Sequence, residues 1–487
     1  MEQTELDFFA DKEKPDIDDL PAKRRFTGDP FVDIGGLVMK TIPGKTVEDK
    51  IRFATDVYVN KWKGKLHSIF LHSKITHISL TNKPDLQRSG TLEYYLGILQ
   101  GKGAVSEGYC RVCSGKGLLF EGERKNYPMV GSGEFANYHH CQESGLLICK
   151  NCLIKLYFIP LGILQCGGSL MLLQIQNEYA EKLWQEDIIL NNYDKISRGS
   201  SESILKSSYT NPQNALFYYA SRLIERFELY DRPSQKIRLF YFTNFGSKPD
   251  VEIHDLPNII FSFLKRVLKP DLKQDWLYFV KRHYRFRKSV HFDEQAGEWT
   301  EIKKKTETKL DINDYSGANH NTIYILLLSG KSILGPLFKM YKSRKFPILI
   351  AITYLRKVRK MKQEQIDLIR KISEKVIALS QKEGNYNKYI TKLEGAKYSY
   401  IFRSEILRMA KAYYKNGETE PFVRCREYVE YLFPDGQNWY ETRDFLLICL
   451  YEKLHDLNIE PDQISDETIS DIEETGSLPI ENFNQNQ

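Results

Sequence analysis

Cys110-Arg111-Val112-Cys113 and Cys149-Lys150-Asn151-Cys152 are the two stretches whose reading decides what kind of fold this chain needs. Each sets two thiols three positions apart, the spacing at which a tight backbone knuckle turns both sulfurs toward one point. Two knuckles supply four thiolates, a complete tetrahedral set for Zn²⁺. A site filled by four protein ligands leaves no position for a substrate, so the predicted ion is structural. The 35 residues between the knuckles exceed the loop of about 15–20 found in a minimal ribbon. An inserted excursion over about 101–155 is therefore predicted, with Gly101, Gly103, Gly108, Gly115 and Gly117 giving it a loop-rich start. His139, His140 and Cys141 fall inside it, and one of them could stand in for a knuckle ligand. Free cysteines gathered by core packing are the plainer alternative, but packing gives no reason for two equal pairs.

Around this module the chain has the means to build a large core. It is 487 residues long, 41% hydrophobic and 13% aromatic, which suits two or three domains. Residues 1–24 form a polar leader, acidic and polar over its first 19 positions and unlike a secretion signal, and the cysteines fit a reducing compartment; a cytoplasmic protein is predicted. The apolar stretch 152–175 is interrupted by Lys155, Pro160, Gly162, Gly167 and Gly168, so it reads as buried core with no membrane role. The net charge of +6 conceals an asymmetry: residues 456–487 hold nine acids and no Lys or Arg, leaving +15 on the rest. An acidic block of this kind is predicted to be a solvated, disordered tail. A body this basic favours a polyanionic partner bound through counterion release.

The fold class predicted is α+β: a mixed body over 25–355 carrying the inserted four-cysteine zinc module, then a helical bundle over 361–455. Within the body, 31–39 reads as a short apolar segment broken at Gly35-Gly36. A helix opens near Thr46, with Thr46 and Asp49 spaced as a capping box, and a second long helix is predicted over about 170–190. Residues 237–242 and 251–253 read as strands joined by a turn, with a helix after Pro257. From Met361 the pattern turns helical, with Ile366, Ile369, Ile372, Val376 and Leu379 on one face. Further helices are predicted near 398–416, 421–433 and 438–455, separated at Gly384, Gly395, Gly417 and Pro434-Asp435-Gly436, giving four helices in outline.

Cations interleaved with rings are the second chemical signal. Lys281, Arg282, Arg285, Arg287 and Lys288 alternate with His283, Tyr284 and Phe286, and Lys303, Lys304 and Lys305 follow. Guanidinium groups suit phosphates and rings suit unpaired bases, so this run is a candidate nucleic-acid contact; a solvated face or a strand with its rings inward is the bland reading. Arg370, Lys371, Lys375, Arg403, Arg408 and Lys411 are the candidate cations of the helical region. No glycine-rich phosphate loop ending in Lys-Ser or Lys-Thr occurs, which argues against an NTP-driven motor. His139-His140 within a double-cysteine frame resembles the HNH nucleases, but no histidine follows before His254 to complete a catalytic metal site.

Thr27-Gly28-Asp29-Pro30-Phe31-Val32-Asp33-Ile34-Gly35-Gly36 resembles the N-terminal signature of the large subunit of type I-B Cascade, the CRISPR-associated surveillance complex. Residues 237–257 (IRLFYFTNFGSKPDVEIHDLP) are similar to that family too, as is a paired-cysteine insertion like that at 110–152. The resemblance covers about 25–260 and implies a non-enzymatic subunit near the 5′ end of a guide RNA. Such a subunit reads a protospacer-adjacent motif in duplex DNA, helps to open the duplex along the displaced strand, contacts the other Cascade subunits and receives an effector helicase–nuclease. It also implies a small subunit translated internally, here from Met361. No base-reading residue carries over. A stand-alone zinc-containing RNA- or DNA-binding regulator and a metal-dependent nuclease are the alternatives.

Overall fold

The computed structural model describes residues 26–67, 69–130, 145–244, 250–303, 306–434 and 438–459. The predicted polar leader and the acidic tail from residue 460 on, with His139, His140, Cys141, Lys304 and Lys305, lie outside the described residues. The protein is α+β and divides into two units that exchange the chain. Unit 1 runs to Pro212 and takes up the chain again at Lys236–Asp255; unit 2 holds Gln213–Gln235 and everything from Leu256. The body expected over 25–355 is thus shared between the two units. No helix among the described residues is long and apolar enough to cross a membrane.

Unit 1 begins with helices α1 (Pro30–Thr41), α2 (Val47–Asp56) and α3 (Pro84–Leu99). The Thr46–Asp49 capping box forms as predicted: the Asp49 amide donates to Thr46 Oγ1 at 3.1 Å and the Thr46 amide to Asp49 Oδ2 at 2.9 Å. Three antiparallel strands follow, β1 (Ser106–Tyr109), β2 (Lys116–Gly122) and β3 (Leu146–Cys149), leading straight into helix α4 (Lys150–Leu156). A five-stranded sheet, in the order β6-β4-β5-β7-β8, contains β4 (Leu164–Cys166), β5 (Ser169–Leu173), β6 (Leu205–Lys206), β7 (Ile237–Thr243) and β8 (Asp250–Leu256). Helices α5 (Glu178–Trp184) and α6 (Asn191–Ser197) lie between β5 and β6 in the chain.

Two expectations for this unit are corrected. The Gly35-Gly36 pair does not break the 31–39 segment; both glycines sit inside α1. A Cβ on Gly35 would stand 1.9 Å from the Lys155 carbonyl oxygen, so the missing side chain is what lets α1 cross α4 backbone to backbone. Residues 170–190 are not one helix. Leu170, Met171, Leu172 and Leu173 are all buried in β5, which hairpins with β4 through the left-handed Gly167. An apolar run buried on both faces has no helical period to distinguish it from a helix in sequence. The helix starts only at Glu178, where Asn177 Oδ1 accepts from the Ala180 amide at 2.9 Å.

Unit 2 contains α7 (Pro212–Arg226), α8 (Asn258–Val267), α9 (Pro270–Arg282) and an antiparallel sheet of β9 (Val290–Asp293), β10 (Glu298–Lys303) and β11 (Thr306–Lys309). Short helices α10 (Ile312–Tyr315) and α11 (Thr322–Leu328) lead to α12 (Leu334–Ser343), α13 (Ile348–Lys357), α14 (Gln363–Glu383), α15 (Asn387–Glu394), α16 (Ser399–Lys415), α17 (Cys425–Glu427) and α18 (Trp439–Asp456). The predicted stripe of α14 is buried in full. Helix α18 is apolar nearly all round, from Phe445 to Leu454, because it packs against α14 on one side and α12 on another.

That packing alters the expected C-terminal bundle. Residues 346–355 belong largely to α13, and Phe338 of α12 meets Tyr451 of α18 at 5.6 Å between ring centroids. Met361 is buried, its amide donating to the Leu355 carbonyl at 3.0 Å. Residues 421–433 hold only the one-turn α17 and a π turn, Tyr428–Leu432, where a full helix was expected.

Candidate metal centre

The first knuckle is the turn between β1 and β2. The Cys110 amide donates to the Gly115 carbonyl and the Ser114 amide to the Cys110 carbonyl, both at 2.9 Å, with Ser114 left-handed. The second knuckle spans a strand end and a helix start. Cys149 ends β3 and precedes α4, while Cys152 lies in the first turn of α4, near the positive end of the helix dipole. Strand β3 pairs with β2 in the register Leu119↔Cys149, and the Arg111 amide donates to the Leu147 carbonyl at 3.0 Å, bringing the two knuckles together.

All four sulfurs lie within 4.8 Å of one another, and Cys113 Sγ and Cys149 Sγ are 3.6 Å apart. A tetrahedron with Zn–S bonds of about 2.3 Å has sulfurs roughly 3.8 Å apart, so the set fits one ion and no disulfide. Cys110 and Cys152 are buried, Cys149 is half-buried and Cys113 is exposed. The crowded thiols cannot ionise independently. Hydrogen bonds from Cys149 and Cys152 hold the Cys110 thiol far below its ordinary range, and the same contacts push Cys149 up to about 11 and Cys152 further. A divalent cation would relieve that competition by taking all four as thiolates. Cys166, Cys425 and Cys449 belong to no such cluster among the described residues.

The module is bolted to unit 1 at two places. The Tyr127 hydroxyl, from the excursion between β2 and β3, donates to Asp29 Oδ2 in a short hydrogen bond. Asp29 is the N-cap of α1, its other oxygen accepting from the Phe31 and Val32 amides at 2.9 and 2.8 Å. Burial raises the Asp29 carboxyl above its ordinary range, offset first by the Tyr127 bond. The second bolt is the Gly35 crossing, since α4 carries both Cys152 and Lys155. Phe31 also meets Phe242 of β7 at 5.1 Å, and the Met129 amide donates to Asn244 Oδ1 at 3.3 Å. The segments around 27–36, 110–152 and 237–244 therefore converge. The mounting roles of Asp29, Gly35 and Tyr127 were not read from sequence; Asp29-Pro30 as a capped helix start was the available signal.

The basic candidates fare unevenly. Tyr284 is buried in a bridge to Asn321, and Phe286 packs against Trp299 and Tyr315 at 4.4 and 5.1 Å. These rings are turned inward, as in the bland reading, and offer no stacking platform. Arg282 pairs with Glu294, and Arg285 Nε donates to Thr322 Oγ1 at 3.2 Å. Arg285, Arg287 and Lys288 are exposed and Lys281 is half-buried. Lys375 Nζ donates to the Pro421 and Phe422 carbonyls at 2.6 and 3.2 Å, a structural setting, and Arg370 is half-buried. Lys371, Arg403, Arg408 and Lys411 are exposed, Arg403 lying over the Phe433 ring and Arg408 3.4 Å from Glu405.

One feature of α16 was missed. Tyr400, Arg403, Leu407, Lys411 and Tyr414 form its outer face, opposite the buried Phe402, Ile406, Met409 and Tyr413. Tyr398 and Tyr400 stack on each other at 5.7 Å and 11°, and remain 60% and 67% exposed. Helical spacing was the signal, since residues three and four apart share a face.

Comparison with protein-family models, with curated proteins and with solved structures finds no match.

Proposed function

We propose that this chain is the non-catalytic large subunit of a type I-B CRISPR RNA-guided surveillance complex. In this reading it recognises a protospacer-adjacent motif in duplex DNA, aids strand opening beside the 5′ end of the guide RNA, and receives the effector helicase–nuclease. One observation carries most weight: the segments that resemble that family, distant in sequence, meet around Phe31, Asp29, Tyr127 and Asn244. Their shared occurrence then has a physical cause, since each completes the mounting of the cysteine module. When bound, zinc would supply structural cross-linking of that module through Cys110, Cys113, Cys149 and Cys152, with no open coordination position.

The exposed α16 face supports nucleic-acid contact. Rings flanked by cations are how displaced single strands are gripped, stacking being sequence-tolerant while guide pairing supplies specificity. The proposal includes a second product starting at Met361. Because α12 covers part of α18, that product would need another subunit against the face that meets Phe338 and Tyr341.

The test is co-expression of the tagged full chain with its neighbouring genes and a guide-RNA transcript. Recovery of a short guide RNA with several partner proteins is expected. A monomer that binds nucleic acid tightly alone, or that cuts DNA, would replace this reading with the regulator or the nuclease. A C-terminal tag and intact-mass analysis test the second product, which should disappear when Met361 is recoded to Leu.

A further inference from the structure

The four knuckle thiols are unequally protected. Cys110 and Cys152 are 2% and 1% exposed, Cys149 is half-buried and Cys113 is exposed. The elements that carry them explain the order. Cys152 is sheltered on α4, whose Leu153, Ile154 and Leu156 are no more than 3% exposed. Cys113 lies at the outer end of its knuckle, followed by the exposed Ser114, Gly115 and Lys116. A Cβ on Gly115 would stand 3.3 Å from Cys113 Sγ, in contact with it, so the glycine leaves that side of the sulfur bare.

Four protein ligands close the metal to a substrate but do not close the outer sulfur to solvent. Thiolate is the form of cysteine that binds metal and also the form that acts as nucleophile. Cys113 is therefore held in its reactive state at the one corner of the set that an oxidant reaches. Its neighbour is already placed: Cys113 Sγ and Cys149 Sγ are 3.6 Å apart, and closing to the disulfide length of about 2.05 Å moves the two sulfurs together by roughly 1.6 Å. Among the other described cysteines, Cys166 and Cys449 are buried, and the exposed Cys425 belongs to no cluster.

We propose that the knuckle pair is a redox switch, in which a peroxide oxidises Cys113 and Cys149 resolves it, so that a disulfide replaces the metal as the link between the knuckles. The Cys113 thiolate attacks the peroxide O–O bond, giving a sulfenic acid and one hydroxide. The Cys149 thiolate then attacks that sulfur, forming the S–S bond and expelling a second hydroxide. Two electrons pass from the two sulfurs to the peroxide, and both hydroxides take protons from water. Cys110 and Cys152 remain as two of the four ligands, too few to retain the ion.

The module keeps its other supports in the oxidised state. The Leu119↔Cys149 register of β2 and β3 is a backbone pairing, the Tyr127 hydroxyl still meets Asp29, and the close crossing of α1 and α4 at Gly35 uses no sulfur. Reduction by a dithiol returns the four thiols, and zinc then rebinds. The switch rests on the zinc reading of the knuckles and is independent of the surveillance-complex reading.

The experiment uses the purified, zinc-loaded full chain without partners. Zinc is first counted by elemental analysis; hydrogen peroxide is then added, release is followed with a chromogenic chelator, and unreduced peptides are mapped by mass spectrometry. One zinc should leave per Cys113–Cys149 disulfide, and dithiothreitol with added zinc should restore the starting state. Cys113→His keeps a metal ligand and removes the outer sulfur, so it should hold zinc and release it about 10-fold more slowly. Cys425→Ser should release it at the parental rate. A dominant Cys110–Cys152 link or a link to Cys141, zinc retained while Cys113 is oxidised, or a Cys113→His variant that releases as fast as the parent would each overturn the switch. If Cys113→His does not fold, the parent's peptide map decides alone. Absence of zinc before peroxide is added would end the metal reading, whereas the pairing found afterwards tests the switch, so the two fail separately.

Discussion

The cysteine module and the C-terminal helices reach stability by opposite means. The module's strands are 4, 7 and 4 residues long, too short to bury much apolar surface, and four thiols at one point take the place of a core. Around α18 the packing is distributed: Phe445, Leu446, Leu447, Ile448, Leu450, Tyr451 and Leu454 are all buried, against α12, α14, α15 and α16. Concentrated stability is legible and brittle; distributed stability is tolerant and hard to assign to any residue.

The sharpest way to break the contrast is to remove one ligand. Structural zinc contributes on the order of 10 kcal/mol to a small unit, so Cys152→Ser should abolish zinc stoichiometry and strip hydrogen-exchange protection from β1, β2, β3 and α4. Unit 2 peptides should keep their protection. Well-folded parent protein without zinc in elemental analysis would end the metal reading.

Phe445→Ala should cost about 3–5 kcal/mol, the usual range for a large core ring, while one zinc per chain is retained. Loss of zinc in this variant would mean that the two stabilities are coupled. Gly35→Ala comes next. A Cβ 1.9 Å from a backbone oxygen forces α1 and α4 apart, at about 1–3 kcal/mol, and denaturant titration should register this in unit 1 alone.

A smaller effect depends on pH. Burial pushes the His283 imidazole down to about 4, with Arg282 and Lys339 adding to the shift and Glu294 opposing it, and its Nδ1 donates to the Phe279 carbonyl at 2.7 Å. The folded state therefore prefers the neutral ring. Its stabilising contribution is complete above the unfolded value of about 6.5 and is lost as pH falls toward 4, at no more than about 1.4 kcal/mol per pH unit. Melting of unit 2 between pH 7 and 4.5 should show this slope, and His283→Asn should flatten it.

The smallest stability effect is predicted at the α16 surface. Tyr400→Ala and Lys411→Ala should each change folding free energy by less than about 0.5 kcal/mol. Together they should weaken single-strand binding by the assembled complex and reduce its salt dependence by about one slope unit for the lysine. Unchanged binding would make the stacked tyrosines a surface feature without a nucleic-acid role.

How much was legible follows the same division. The knuckles, the Thr46 cap and the α14 stripe each rest on a short-range rule, and each forms as read. The Gly35-Gly36 pair misled because glycine marks either a chain break or a close crossing, and only the partner helix, over a hundred residues away, decides between them. Leu170 to Leu173 misled because full burial erases the period that separates strand from helix. Two ring-and-cation runs of similar composition diverged for a related reason. In the 284–287 stretch burial alternates residue by residue, with Tyr284 and Phe286 inward and Arg285 and Arg287 outward. In α16 the period of 3.6 leaves Tyr400, Lys411 and Tyr414 outward together. Composition alone could not tell them apart.

The exchange of chain between the two units has a consequence for synthesis. Strand β7 lies between β5 and β8, but it is not reached until residue 237, after α7 has already contributed its length to unit 2. As the polypeptide leaves the ribosome, β5 must wait with an open edge for more than sixty positions, a template for wrong pairing. Neither unit can therefore be completed by vectorial emergence alone. Strand β5 should lack hydrogen-exchange protection in a chain that stops before residue 237 and gain it in one that extends past residue 256, making the order of emergence an additional constraint on how this sequence is read out.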